Sequence, residues 1–252
     1  MSEISTISAI NKWYQTPLGA ALLKAELVGL ADVLPQIFGY YIAQIGGPTD
    51  NNEILAASRI NNRIIVNPYS AAPINGSLTV QCQLDELPFL PESIDAFVLF
   101  HILESASNPK AILKEIYTSL MPNGYVIIFG FNPYSLWGLT SPWKKTNKAP
   151  WSGNWIGPGH MRKWLSKIGF SIGDYKTFYF RPPNNNPEKL LFMEGLGQIF
   201  WPYCGASYMI VAQKTVAPLT PIRPLLSLAK YFKTAKALPK PTTRTSQCNN
   251  KL

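Results

Sequence analysis

Four apolar runs of the sequence each lead into a residue that could contact a small ligand. Gly46-Gly47, Asn67, Gln83 and His101 stand at these ends. Glycines let a backbone approach a bound molecule closely, and amide side chains both donate and accept hydrogen bonds. His101 could also accept a proton, because an ordinary imidazole titrates near neutral pH. These residue types predict a site that positions a small molecule, with general-base chemistry at His101 as an alternative role.

The elements that must position these residues follow from the apolar patterning. We predict a helix at 11–37, strands at 40–45, 63–66, 78–82, 94–100 and 125–131, a helix at 110–120, a helix at 160–168, and strands at 175–180 and 207–213. Strands that alternate with helices or connections indicate an α/β fold, with a doubly wound, Rossmann-like, mostly parallel sheet. Ligands bind outside the carboxyl ends of such strands, so the residues at the strand ends should meet at one edge.

Composition bounds the class of protein and its domain organisation. The chain has 252 residues, of which 46% are hydrophobic and 15% charged, which excludes wholesale disorder. The net charge of +9 is concentrated from Lys214 onward, where eight basic residues occur without an acidic one. We therefore predict an N-terminal helical segment (1–38) packed on the core, a ligand-binding domain (39–214) and a basic, Pro-rich, largely disordered tail (215–252).

Several classes of site are not supported by the residues present. Cys82, Cys204 and Cys248 are far apart, and His101 and His160 add no zinc spacing, so we expect neither a metal site nor disulfides. No run of about 18 apolar residues predicts a membrane span, and the first residues do not have the pattern of a signal peptide. We expect a soluble, cytoplasmic protein.

Five short motifs within residues 84–132 point to a family. They are Leu87-Pro88-Phe89, Ser93-Ile94-Asp95, His101-Ile102-Leu103-Glu104, Leu113-Lys114-Glu115 and Leu120-Met121-Pro122-Asn123-Gly124. In this order and at this spacing they resemble the second half of the class I S-adenosylmethionine (SAM)-dependent methyltransferases, of the type-11-like kind. The resemblance covers residues 39–214. Within the family the chain is similar to a bacterial group with the segments WYQTPLG (13–19) and NPYSLWG (132–138).

The resemblance implies SAM as the cofactor and assigns a set of residues to it. At three of these positions an amide, Gln44, Asn67 or Gln83, stands where the family has a carboxylate, and Gly46 is the one residue that matches the family's glycine motif. Two interpretations stay open: SAM bound more weakly through neutral hydrogen bonds, or a scaffold that has lost SAM. His101 is expected to line the methionine side of the cofactor. The implied cofactor-binding residues are Gln44, Gly46, Gly47, Asn67, Gln83, Leu84, Phe100 and His101.

The methyl acceptor is expected beneath the aromatic loop at 132–155. Asn132, Tyr134 and Trp137 are the candidate contacts, and the aromatic composition favours an apolar or aromatic small molecule. The alternative is that these rings only cover an edge of the core. No catalytic base is assigned, because an acceptor that is already nucleophilic needs none.

Three other functions compete with methyl transfer. The first is a catalytically inactive protein of this fold that binds a partner, as the three amides would allow. The second is a nucleic-acid or membrane-surface binder that works through the basic tail, where we expect only weak attraction to anionic surfaces. The third, a nicotinamide-dependent oxidoreductase, lacks its glycine fingerprint here. The oligomeric state is left open.

Overall fold

A seven-stranded sheet forms the centre of the molecule. The computed structural model of the chain describes residues 3–48, 54–68, 78–140, 149–183, 194, 195, 197, 199 and 201–215. The strands are β1 (Tyr41–Gly46), β2 (Asn62–Val66), β3 (Leu78–Val80), β4 (Ile94–Phe100), β5 (Leu120–Phe131), β6 (Phe170–Phe178) and β7 (Ser207–Lys214). Their order is β3-β2-β1-β4-β5-β7-β6, and β7 runs in the direction opposite to the other six described strands. This confirms the predicted doubly wound, mostly parallel α/β fold.

Helices cover both faces of the sheet. They are α1 (Glu3–Tyr14), α2 (Pro17–Val33), α3 (Pro109–Ser119), α4 (Leu136–Thr140) and α5 (Pro158–Ile168). Ile116 on α3 and Leu165 on α5 share one apolar core with strand residues such as Phe97, whereas Leu22 on α2 belongs to a second core with residues such as Val98. Successive residues of β4 therefore face opposite layers, which explains the continuous apolar run of this strand.

The single helix predicted at 11–37 is wrong, because two helices occupy this part of the chain. The break falls at Thr16, which adopts an extended conformation (φ −77°, ψ 154°) before Pro17. Proline has no amide hydrogen to donate and disfavours a helical residue before it, so it begins a helix more readily than it continues one. The Thr16 hydroxyl accepts a hydrogen bond from the Gly19 amide at 3.1 Å and caps α2.

Helix α1 lies across the edge at which the parallel strands end. Ile7 packs with the core on the α3 side, whereas Ile10 and Trp13 pack with the core on the α2 side. At the far end of α1, the Tyr14 ring lies 6.3 Å from the His101 imidazole at the end of β4. This helix therefore covers the edge where the candidate site was predicted.

The basic tail predicted at 215–252 lies outside the described residues, except for Thr215. The chain divides into two compact units, Met1–Val216 and Ala217–Leu252, and the described residues all belong to the first. Within the described ranges, every helix is too short or too polar to cross a bilayer.

Candidate functional site

The backbone of the glycine pair Gly46-Gly47, at the end of β1, passes very close to β4. Gly46 and Gly47 have φ values of +77° and +79°, which disfavour residues with a side chain. A Cβ atom on Gly46 would lie 2.6 Å from the carbonyl oxygen of Phe100. The buried Gln44 side chain donates from Nε2 to the Gly46 carbonyl at 3.0 Å. Protein atoms therefore account for the close approach that requires glycine at position 46.

A cavity of about 680 Å³ opens where β2 and β3 end. Its volume falls in the range of small-molecule sites. Gln83 and Leu84, two of the predicted cofactor residues, line it, and Asn67 follows β2 directly before the lining residue Pro68. The backbone amide of Asn67 donates to the Val80 carbonyl at 2.9 Å, which joins the ends of the two strands. The lining residues are Ile7, Pro68, Gln81, Cys82, Gln83, Leu84, Asp85, Ser107, Asn108 and Ile112.

The cavity combines apolar walls with hydrogen-bonding groups. Ile7 comes from α1 and Ile112 from α3, whereas Gln83 and Asn108 supply amides. Asn108 caps α3, because its side chain accepts from the Ala111 amide at 3.2 Å. Burial raises the pKa of the Cys82 thiol to about 11, so the thiol stays protonated at neutral pH and is a poor nucleophile.

A second group of polar side chains lies under α1 at the end of β4. His101 Nε2 hydrogen-bonds Glu26 Oε1 at 2.9 Å, and His101 Nδ1 lies 3.7 Å from Glu104 Oε1. The same Glu104 oxygen accepts a hydrogen bond from the Phe131 amide at 2.7 Å. The side chains of Glu26, His101 and Glu104 are essentially inaccessible to solvent. We call these three residues and Tyr14 the buried cluster.

The charges of the buried cluster determine its protonation. Burial by itself would lower the pKa of His101, but the negative charge of Glu26 and then that of Glu104 raise it to about 9. His101 is therefore protonated at neutral pH and cannot act as a general base in this state. Burial raises the pKa of the Tyr14 hydroxyl well above its ordinary value, and the charges of Glu26 and Glu104 add to the effect.

Sequence reasoning missed Glu26, although a signal was present. Glu26 lies four residues from both Leu22 and Leu30, on the apolar face of α2. A charged residue at such a position is almost never fully buried unless it is paired. The partner, His101, is 75 residues away along the chain, so the pairing could not be deduced without the fold.

The remaining predicted residues have mainly structural contacts. The Phe100 ring is buried and stacks on Phe129, with ring centroids 4.4 Å apart. The Asn132 side chain donates to the carbonyls of Tyr203 (2.8 Å) and Gly205 (3.0 Å) and accepts from the Tyr134 amide (3.0 Å). Its amide is therefore fully engaged in joining the end of β5 to the segment before β7.

The aromatic candidates for the acceptor site divide into buried and exposed rings. Trp137 is fully buried, and its indole nitrogen donates to the Arg181 carbonyl at 2.8 Å. It also packs edge-on against Trp13, with centroids 6.0 Å apart. Tyr134 is 63% exposed. Of the three predicted acceptor contacts, Tyr134 alone offers a largely accessible side chain.

Comparison with known proteins agrees with the fold. Residues 54–128 match a family model described as a methyltransferase domain. An uncharacterized protein of Escherichia coli K12, YafS, is 27% identical over 218 residues, which are 85% of each chain.

Solved structures of SAM-dependent methyltransferases share the fold. One from Thermotoga maritima has a TM-score of 0.60 and 17% identity, over 81% of this chain and 94% of its own. One from Mesorhizobium loti has a TM-score of 0.54 and 14% identity, over 74% of this chain and 96% of its own. The chain thus has the fold of solved SAM-dependent methyltransferases, and residues 54–128 are similar to a methyltransferase domain, for which SAM is the implied cofactor.

Proposed function

We propose that the protein transfers a methyl group from SAM to a small molecule. The observation that carries this proposal is the cavity of about 680 Å³ at the ends of β2 and β3. It lies at the carboxyl edge of a doubly wound sheet, where such folds bind nucleotides. Much of the cavity lining, from residue 81 to residue 112, falls inside the segment that matches the methyltransferase domain.

The residues present fit the adenosine part of SAM. Ile7, Leu84 and Ile112 offer apolar walls for a flat base, and the exposed amide of Gln83 can both donate to and accept from its edge. Asn67, at the end of β2, is proposed to contact the ribose hydroxyls. These neutral groups give weaker hydrogen bonds than carboxylates would, so we expect modest affinity for the cofactor.

The chain's contribution to the reaction is to position the reactants and exclude water. When bound, SAM supplies an electrophilic methyl group on a sulfonium sulfur. The buried cluster and α1 shield the end of β4 from solvent, which strengthens electrostatic interactions there. Because His101 is already protonated, we assign no general base and propose an acceptor that is nucleophilic without deprotonation by this residue.

We further propose that the acceptor has an apolar or aromatic part. Tyr134 exposes its ring beside Gly157, and the half-buried Trp155 ring stacks on Phe131 at 5.2 Å. These rings offer a surface for stacking near the end of β5. Trp137 does not support this part of the proposal, because its side chain is fully buried in the core.

Calorimetric titration of the full chain with SAM and S-adenosylhomocysteine tests the proposed function. Cys82→Phe should fill part of the cavity, whereas Cys82→Ala at the same position keeps it open. We expect micromolar binding to the wild type and to Cys82→Ala, with a loss of at least tenfold in Cys82→Phe. An absence of heat and of any thermal shift at millimolar ligand would contradict the proposal and favour a scaffold without cofactor.

A further inference from the structure

The buried cluster contains polar atoms that lack hydrogen-bond partners. Within the described residues, Glu26 Oε2, Glu104 Oε2, His101 Nδ1 and the Tyr14 hydroxyl are enclosed and make no hydrogen bond. All four residues are at most 3% exposed. A buried polar atom without a partner costs free energy, and the cost is greater for a charged group. Several such atoms in one place indicate a group that completes the cluster.

The charge of the cluster indicates what that group is. Two carboxyl groups face one imidazole, and in the part of the chain that the structure describes neither carboxylate forms an ion pair with lysine or arginine. The completing group should therefore be positive and should donate hydrogen bonds to carboxylate oxygens. A bound water could donate hydrogen bonds but would not offset the second carboxylate.

A metal ion fits the cluster less well than an ammonium group. Glu26 Oε1 is engaged by His101 Nε2, and the protonated imidazole has no lone pair for a metal. No set of three or more metal-ligating side chains with suitable geometry occurs among the described residues. An ammonium group instead supplies three N–H donors, which match the two free carboxylate oxygens and the tyrosine hydroxyl.

The buried cluster lies beside the carboxyl ends of β1 and β4. His101 directly follows Phe100, the last residue of β4, and Phe100 pairs with Gly46 at the end of β1. Glu26 reaches this edge from α2, outside the segment that matches the methyltransferase domain. On β1 itself, the neutral Gln44 is hydrogen-bonded to the Gly46 carbonyl and offers no negative charge. Among the described residues, the carboxylates that contact His101 at the end of β4 come from Glu26 and Glu104.

We propose that Glu26 and Glu104 bind the primary ammonium group of a small-molecule ligand, with the Tyr14 hydroxyl as a third contact. The inference rests on the proposed function, because that function brings an amine to this edge in one of two ways. The amine belongs either to the amino-acid part of the cofactor or to the methyl acceptor. In both cases Tyr14 on α1 must move to admit the ligand and then cover it.

The first arm of the test compares ligands on the wild-type full chain. S-adenosylhomocysteine carries the amine, its desamino analogue lacks only that group, and 5′-methylthioadenosine lacks the whole amino-acid part. If the amine belongs to the cofactor, S-adenosylhomocysteine should bind at least about tenfold more tightly than its desamino analogue. This comparison needs no variant and does not depend on whether a substitution folds.

The second arm uses a matched pair of variants on one helix. Glu26→Gln keeps the size of the side chain and removes its charge, whereas Asp32→Asn removes an exposed charge from α2. Glu26→Gln should abolish the preference for the amine while 5′-methylthioadenosine binds within about twofold of wild type. Asp32→Asn should leave both affinities unchanged.

The third arm tests an amine that belongs to the acceptor. Butylamine should then raise the melting temperature of the wild type more than butanol at equal concentration, and Glu26→Gln should remove the difference. The inference is overturned if neither the desamino comparison nor the butylamine comparison shows a preference for the amine. Failure of the proposed function looks different, because 5′-methylthioadenosine and S-adenosylhomocysteine would then both fail to bind.

Discussion

His101 Nε2 lies 2.9 Å from Glu26 Oε1, and the two side chains are fully buried between α2 and the end of β4. The contact connects α2 to the carboxyl end of β4, at the edge of the sheet where doubly wound folds bind ligands. A buried ion pair of this kind is not in itself a source of stability, because both groups are desolvated. It places a carboxylate from α2 against the imidazole at the carboxyl end of β4.

Replacing Glu26 by glutamine should destabilise the protein strongly. We expect the free energy of unfolding to fall by about 3 kcal/mol, because a buried imidazolium would lose its charged partner. The exposed pair between Lys176 and Asp32, which is 3.0 Å long, provides the comparison. Asp32→Asn should cost less than about 1 kcal/mol, because exposed pairs contribute little. Urea denaturation of the two variants measures the difference, and equal costs would contradict it.

Stability should fall as the pH rises from about 6.5 to about 9. The folded pKa of His101 is raised to about 9, whereas an unfolded histidine titrates near 6.5. The folded state therefore binds a proton more tightly, so the stabilisation is complete below about pH 6.5 and is lost as the pH passes through about 9. Among the described residues, Glu26, Glu104 and Tyr14 are the titratable groups that face His101.

Urea midpoints measured from pH 6 to pH 10 test this dependence. In Glu26→Gln the folded pKa of His101 should be lower, so the decline should be smaller and should end at lower pH. A wild-type midpoint that stays constant between pH 6.5 and 9 would show that His101 does not carry a raised pKa.

The predictability of the fold differed sharply between elements. The strand at 94–100 was predicted with the bounds that the structure has, because an uninterrupted apolar run suits a strand covered on both faces. The helix break at Thr16-Pro17 was missed, since apolar residues recur across it at helical spacing. Local patterning reports which residues are buried, but it does not report where a cap interrupts the backbone.

Sequence patterning located only those residues of the candidate site that follow a strand. Gln83 and Leu84, which were predicted to bind the cofactor, line a cavity, because residues that follow a parallel strand lie at the carboxyl edge; their contact with a cofactor stays a prediction. The pairing of His101 with Glu26 depends on how α2 packs on the sheet, and the burial of Trp137 depends on α1. Such contacts join segments far apart in sequence, and composition does not encode them.

Gly46→Ala should destabilise the protein, whereas Gly159→Ala should not. At Gly46 the left-handed φ and the overlap of a Cβ with the Phe100 carbonyl should together cost about 2–4 kcal/mol. At Gly159 on α5 a Cβ would meet no atom within 4 Å, so alanine should be neutral or stabilise by up to about 1 kcal/mol. Thermal unfolding of both variants tests this, and a tolerated Gly46→Ala would show that β1 ends with a different backbone conformation.

The two aromatic residues predicted as acceptor contacts should separate into a core residue and a surface residue. Trp137→Phe should lower the free energy of unfolding by about 2 kcal/mol, because it leaves a void and removes the hydrogen bond to the Arg181 carbonyl. Tyr134→Ala should change stability by no more than about 0.5 kcal/mol, since its ring is mostly exposed. Denaturation of each variant distinguishes the two roles. If Tyr134→Ala were as destabilising as Trp137→Phe, the Tyr134 ring would belong to the cover of the core, and the proposed acceptor surface at the end of β5 would lose its main support.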